Sequence, residues 1–227
     1  MTGVEHVPDH VAYRQVRANI TGLLADRPAA ADADVPSCPK WTVRDLVGHL
    51  LDVCGIVVGR LSGTEVPSRS AGLDINTLLT EWAASGQEAE RLIEAAGRDQ
   101  GRIGLMDAFT HELDLRYALD APRTVDHPAY PRSIAVLVDG LSSSVTRLGL
   151  PALRVETEGA QRVVGTGEPM ATVTGEPLDL YRSLAGRRTP EQIGAELTWS
   201  ADPATWLPAF AWGPFHPPHQ PVEQATR

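Results

Sequence analysis

The chain has 227 residues, a formal net charge of −9 and a hydrophobic fraction of 42%, enough to bury a sizeable core as one large domain or two small ones. The acidic balance argues against a nucleic-acid binder, which carries a basic face. Two cysteines, Cys38 and Cys54, are too few for a disulfide scaffold, and no apolar run approaches the length of a membrane span. Nineteen of the twenty basic residues are arginine, Lys40 being the other; with abundant Ala, Gly and Pro this is the mark of a GC-rich genome rather than of a functional arginine patch. The polar, acidic N-terminus lacks the charged-then-apolar pattern of an export signal. The expectation is a soluble cytoplasmic protein, monomer or homodimer, with no nucleic-acid or membrane partner.

Residues 8 to 26 read as a first helix, with Val11, Val16, Ile20, Leu23 and Leu24 recurring near helical spacing and Pro28 beyond its end. The Ala/Asp/Pro-rich stretch from Pro28 to Pro39 reads as a loop, and Cys38 as a reduced thiol within it. A second helix opens at Trp41-Thr42, with Thr42 as N-cap and Asp45 three residues on in the manner of a capping box, and runs to about Leu61. Its apolar stripe (43, 46, 47, 50, 53, 54 and 57) packs Cys54 into a core and leaves His49 at the edge, able to face a bundle interior. A loop over 62–70 leads to a third helix over 73–96, carried by Leu78, Leu79, Trp82, Leu92 and Ile93 and stopped by Gly97.

The fourth helix, about Ile103 to Leu119, carries polar groups where a plain core helix would not. Asp107 and His111 are four residues apart, so their side chains stack on one face about one turn apart, among Leu105, Met106, Phe109, Leu113 and Leu115. A carboxylate in such surroundings is costly unless it is paired or bound to a metal. The spacing supplies half a metal site, and His49 is the best candidate for a further ligand. Two His and one Asp from two helices leave a metal an open position, as in catalytic rather than structural zinc. The bland alternative stands beside it: Asp107 and His111 as an i,i+4 pair worth a few tenths of a kcal/mol, and His49 as a hydrogen-bonded core histidine. Glu112 and Arg116 read as a solvated i,i+4 pair. His6, His10, His127, His216 and His219 fall in termini or loops and receive no role.

A connection over 122–131 precedes a fifth amphipathic helix, about Arg132 to Leu148. Long amphipathic helices on short loops imply an antiparallel bundle, whose interior is where metal sites are built. The composition then changes near 149–152. Leu153 to Thr157, Arg162 to Val164 and Ala171 to Thr174 are short β-branched runs separated by Gly159, Gly165-Thr166-Gly167 and Gly175, and read as strands and turns. Glu176 to Ala185 reads as a helix, Thr189-Pro190-Glu191 starts another, and Trp206, Phe210 and Trp212 lie in a segment covering a core. The expected division is a metal-binding helical bundle over 1–150, a small α+β domain over 151–213, and a Pro-rich, disordered tail over 214–227.

The run Trp41-Thr42-Val43-Arg44-Asp45-Leu46-Val47-Gly48-His49-Leu50 resembles the second-helix signature of the DinB-like superfamily and, within it, of the mycothiol-dependent maleylpyruvate isomerase family. Asp107-x-x-x-His111-x-x-Asp114 is similar to that family's fourth helix. Thr166-Gly167-Glu168-Pro169, Val173-Thr174-Gly175-Glu176 and Leu184-Ala185-Gly186-Arg187-Arg188 resemble its C-terminal domain. The resemblance implies an α+β protein: an N-terminal DinB-like antiparallel four-helix bundle with a small C-terminal domain of sterol-carrier-protein-2-like type. It also implies one divalent metal, usually zinc, on His49, Asp107 and His111. The family's carboxylate is often Glu, and the shorter Asp here draws the metal closer to its helix.

The activity so implied is metal-assisted activation of a low-molecular-weight thiol, mycothiol, for attack on an electrophilic small molecule, giving S-transfer or cis–trans isomerisation. Asp114, one turn from His111, is placed to orient an imidazole, with pairing to Arg116 or Arg44 as the alternative. Arg187 and Arg188 are candidate contacts to the thiol in a cleft between the bundle and the C-terminal domain. Two competing functions remain: a metal-dependent hydrolase on the same bundle, in which bound water replaces the thiolate, and a non-catalytic small-molecule-binding protein whose His/Asp pair is structural.

Overall fold

The structure is a computed structural model describing residues 7–25, 27–97, 99–157 and 160–224; His6, the end of the first helix at residue 26, Gly159 and the last three residues of the tail lie outside the described residues. The chain forms two compact units, Met1–Ser133 and Ile134–Arg227. Among the described residues seven α-helices and four strands run in the order α1 (Asp9–Ala25), α2 (Val43–Ser62), α3 (Ile75–Ala96), α4 (Arg102–Ala118), α5 (Tyr130–Arg147), β1 (Leu153–Thr157), β2 (Ala160–Val164), β3 (Ala171–Thr174), α6 (Pro177–Leu184), α7 (Pro190–Glu196) and β4 (Thr198–Trp199). The division between the units falls in the first turn of α5, upstream of the change in composition near 149–152.

The first unit is a four-helix bundle in which α1 and α2 each pack against both α3 and α4. Local chemistry sets its boundaries. Thr42 caps α2 with the reciprocal hydrogen bonds of a capping box, its side chain accepting from Asp45 N–H and Asp45 accepting in return. Gly63 closes the helix in the left-handed region at φ 71°. Asp74 caps α3 by accepting from the N–H groups of Asn76 and Thr77. Ala12, Val16, Ile20, Leu46, Val47, Leu50, Leu78, Trp82, Leu105, Phe109, Leu113 and Leu115 form the core. Cys54 is buried in it, and burial raises its thiol pKa, which makes it a packing residue.

Nearly every side chain of α4 between Gly104 and Leu115 is buried, and its polar groups divide between two opposite faces. Glu112, only 1% exposed, is not the solvated partner of Arg116 that its spacing suggests. It accepts from Arg116 at 2.8 Å and from the Asn19 amide at 3.0 Å, with His127 3.6 Å away. Burial raises its pKa, against the opposing effect of Arg116. His127, assigned to a loop without a role, is also buried. Its ring stacks on Phe109, and Nδ1 accepts from the Ala129 N–H at 3.0 Å. The connection after α4 folds back against α1 and α4, which spacing along one helix cannot reveal.

In the second unit the strands form a sheet of order β2-β1-β3-β4, with β1 antiparallel to β2, parallel to β3, and β3 antiparallel to β4. The three longer strands fall where β-branched alternation puts them; β4, two residues long, carries too little pattern to read. Thr189 and Gln192 form a second capping box at α7, and Trp206 and Phe210 are buried. The Pro-rich composition of the tail predicts disorder from residue 214 onward. The tail is instead placed as far as Gln224, because Glu223 is buried between Arg182 and Arg188, the latter also bound by Asp179 and Glu196. His216 passes so close to Gly186 that a Cβ there would lie 2.9 Å from its backbone nitrogen.

Burial, reinforced by the Arg116 charge, lowers the pKa of His127 to about 4 from 6.5. The unfolded chain therefore takes up a proton before the native one, and stability should fall as pH drops from about 6.5 to 4, by up to about 3 kcal/mol. Urea denaturation across that range should show the loss, and His127→Leu should flatten the slope. Glu223→Ala, which leaves two buried guanidinium groups without that partner, should cost about 3 kcal/mol by the same measurement.

Candidate functional site

One end of the α2–α4 contact gathers four titratable side chains and one indole. The capping box fixes where α2 begins, and so the phase at which His49 leaves it. Asp107, His111 and Asp114 leave a common face of α4 because three- and four-residue steps return to the same side of a helix. The His49 and His111 rings meet edge-on with centroids 4.9 Å apart, and Trp41 lies against both, at 5.0 and 5.9 Å.

The hydrogen bond from His111 to Asp114 decides what the site presents. His111 Nδ1 is 2.9 Å from Oδ2 of Asp114, whose side chain is 0% exposed. A carboxylate only accepts, so Nδ1 carries a proton, and in the neutral ring the lone pair is then on Nε2, pointing the other way. That nitrogen faces Asp107 Oδ1 at 3.7 Å, while His49 Nε2 lies 3.4 Å from the same oxygen. Of the two arginines weighed as partners for Asp114, Arg44 pairs with Asp32 and Arg116 with Glu112.

The ligand atoms of His49, Asp107 and His111 all lie within 4.8 Å of one another. Two imidazoles and a carboxylate suit zinc, whose bonds of about 2.0–2.2 Å put neighbouring ligand atoms about 3.3–3.5 Å apart in a tetrahedron. The observed separations of 3.4 and 3.7 Å are close to that edge and longer than ordinary hydrogen bonds. The donor set fits a divalent metal.

A cavity of about 650 Å³ opens beside His49, lined by Trp41, Lys40, Arg44, Asp52 and Ser70 among others. Its outer wall is tied down by Asp52, which accepts from the Ser68 and Ser70 hydroxyls at 2.8 and 2.6 Å and from the Arg69 N–H at 3.0 Å. Burial pushes the Asp52 carboxyl up, but the bonds from Ser70, Arg69 and Ser68 outweigh it and hold the carboxyl below its usual range.

Arg188 takes a different part from the one expected. It is 0% exposed, with its guanidinium engaged by Asp179, Glu196 and Glu223 inside the second unit; it holds the tail in place rather than presenting charge to a cofactor. Arg187 donates to the Ala185 carbonyl at 2.7 Å. The residue that sequence reasoning passed over is Cys38, whose sulfur lies 3.4 Å from Asp114 Oδ2 and 3.9 Å from His111 Nδ1. Nothing in the loop's composition signals this, since the contact spans 73 to 76 residues.

Residues 13–119 match the family described as the mycothiol maleylpyruvate isomerase N-terminal domain. Among solved structures the chain is similar to a mycothiol-dependent maleylpyruvate isomerase at 16% identity and a TM-score of 0.58, over 89% of this chain and 97% of that one. A histidine-to-alanine mutant of that isomerase is similar at 15% identity with the same TM-score and coverage. At that identity the likeness shows a shared fold. No curated protein sequence matches the chain.

Because Asp114 fixes the His111 tautomer, Asp114→Ala should weaken zinc binding about 10- to 100-fold without loss of helix content, as measured by competition with a chromophoric chelator alongside circular dichroism.

Proposed function

We infer, from the premise that this chain belongs through residues 13–119 to the mycothiol maleylpyruvate isomerase N-terminal domain family, that it is a zinc-dependent enzyme. In this reading it activates a low-molecular-weight thiol, mycothiol, for attack on an electrophilic small molecule, with isomerisation of a cis alkene as the leading reaction. His49, Asp107 and His111 would hold the metal. A divalent metal there supplies the positive charge that keeps a bound thiol in its nucleophilic thiolate form at neutral pH.

The chain's own residues do the rest. Asp114 keeps the His111 proton on Nδ1, which leaves Nε2 as a lone-pair donor. Trp41 covers both imidazoles and limits water on that side. The cavity beside His49 gives a small molecule access, with Lys40 and Arg44 on its wall to offset negative charge on an incoming substrate. Addition of the thiolate to one alkene carbon leaves a single bond free to rotate. Expulsion of the same thiolate restores the double bond, so no atom is gained or lost. If the carbanion left by addition takes up the proton the thiol gave up, so that the adduct is kept, or if another group leaves with the electron pair, the outcome is S-transfer on the same site.

The observation that supports a metal most directly is the meeting of the Nε2 atoms of His49 and His111 on Asp107 Oδ1 at 3.4 and 3.7 Å. In the neutral imidazole with its proton directed to Asp114, His111 Nε2 is an acceptor facing the Asp107 carboxylate, and a bound cation would relieve that opposition of two acceptors; a second proton on His111 would relieve it too. A proton on His49 would make the pair an ordinary ion bridge, as the binding-protein alternative requires. Among the described residues no helix is long and apolar enough to cross a membrane, which is compatible with a cytoplasmic small-molecule enzyme.

Zinc-loaded protein mixed with a cis-configured enone or dienone should turn it over only when mycothiol is present, and His49→Ala should lower the rate by about 100-fold or more. Thiol-independent hydrolysis of an ester or amide by the same preparation would instead favour the hydrolase, and no turnover of either class would leave the binding-protein alternative in place.

A further inference from the structure

We propose that Cys38 is a positioning residue for the metal site: its thiol donates to Asp114 Oδ2 and so helps hold the carboxylate that sets the tautomer of His111. The inference rests on the metal reading of His49, Asp107 and His111 given above, and on geometry on the opposite side of the imidazole from those ligands.

The loop that carries Cys38 is built to deliver it. Asp34 bridges to Thr42 in antiparallel fashion. Inside that bridge Val35 N–H donates to the Trp41 carbonyl at 2.9 Å, Cys38 N–H to that of Val35 at 2.9 Å, and Trp41 N–H to that of Cys38 at 2.9 Å. Closing these turns forces Lys40 into the left-handed region at φ 75°, a conformation that costs a non-glycine residue of order 1 kcal/mol. The strained turn swings two side chains onto the histidine pair together: Trp41 over both rings and Cys38 against the Asp114–His111 hydrogen bond. The loop ends in the cap of α2, so the capping box that fixes His49 also anchors the base of the turn.

The chemistry of the contact follows from burial. Asp114 is 0% exposed, and a carboxylate so enclosed is stable only with donors around it. The Cys38 sulfur at 3.4 Å and His111 Nδ1 at 2.9 Å converge on the same oxygen, Oδ2. A thiol is a weak donor, so it supports the carboxylate without competing strongly with the imidazole proton. A hydroxyl in its place keeps a donor, whereas a methyl does not. Cys38, His111 and Asp114 also have ligand atoms within 4.8 Å of one another, so direct ligation through sulfur is the rival role that the test must exclude.

The experiment compares the full-length protein with Cys38→Ala and Cys38→Ser, without added thiol. Three readouts are taken: zinc affinity by chelator competition, the Nδ1–H resonance of His111 by NMR on the metal-free protein, and the absorption of the cobalt-substituted protein. Cys38→Ala should weaken zinc binding about 10-fold and broaden or shift the His111 ring-proton signal, with helix content and melting temperature kept. Cys38→Ser should restore both to near wild type. Equal affinity and an unmoved ring proton in all three proteins would overturn the proposal. So would equal losses in both variants together with a lowered melting temperature, which marks packing alone. A sulfur-to-cobalt charge-transfer band in wild type, absent in both variants, would overturn it in favour of direct ligation. If wild type binds no metal, the metal reading fails by itself, and the ring-proton signal in the metal-free proteins still decides whether Cys38 positions Asp114.

Discussion

The hydrogen bond between Asp114 and His111 is the constraint on which the rest of the site depends. Both residues sit on α4, three positions apart, and at 2.9 Å the bond settles which imidazole nitrogen keeps the proton. With Nδ1 committed, Nε2 of the neutral ring is a lone pair facing Asp107. Had Asp114 been apolar, the same backbone would leave the tautomer undetermined and the ring free to turn. A buried carboxylate is costly to keep, and here its use is to hold an imidazole rather than to add stability.

The bundle carries a second polar assembly on the far side of the same helix, where Glu112 is held by Arg116 and Asn19 beside His127. The two clusters show how one buried helix serves two purposes. On the Asp107 face that carboxylate stands farther from both imidazoles, at 3.4 and 3.7 Å, than an ordinary hydrogen bond, and His49 lines a cavity. On the Glu112 face the groups are packed and hydrogen-bonded, and the neutral His127 stacks on Phe109. The cavity lined by His49, rather than polar satisfaction, separates the two: Glu112 Oε2 on the second face is itself buried without a hydrogen-bond partner.

Much of this was legible in the sequence because it is local. Helical stripes, the capping box at Thr42, the proline start at Thr189-Pro190 and the stop at Gly97 depend on residues a few positions apart. So does the common face of Asp107, His111 and Asp114. What the sequence hides is contact between distant segments. The burial of His127 and Glu112, the return of the tail through Glu223 to Arg182 and Arg188, and the approach of Cys38 to Asp114 all join residues dozens of positions apart. Composition misleads in such places: a Pro-rich tail looks disordered until its one buried glutamate meets two arginines, and an arginine pair looks like a ligand clamp until three carboxylates surround one of its members.

The measurement that tests the central claim most directly is the stoichiometry and location of zinc in the purified chain, by elemental analysis and X-ray absorption of the zinc-loaded protein. About one zinc per chain, bound by two imidazoles and a carboxylate oxygen and lost on His49→Ala or His111→Ala with the helices intact, is the result expected. Protein that takes up no zinc under excess metal, or that keeps it when both histidines are removed, would contradict the account. His49 and Asp107 would then be an ordinary ion pair in a helical bundle.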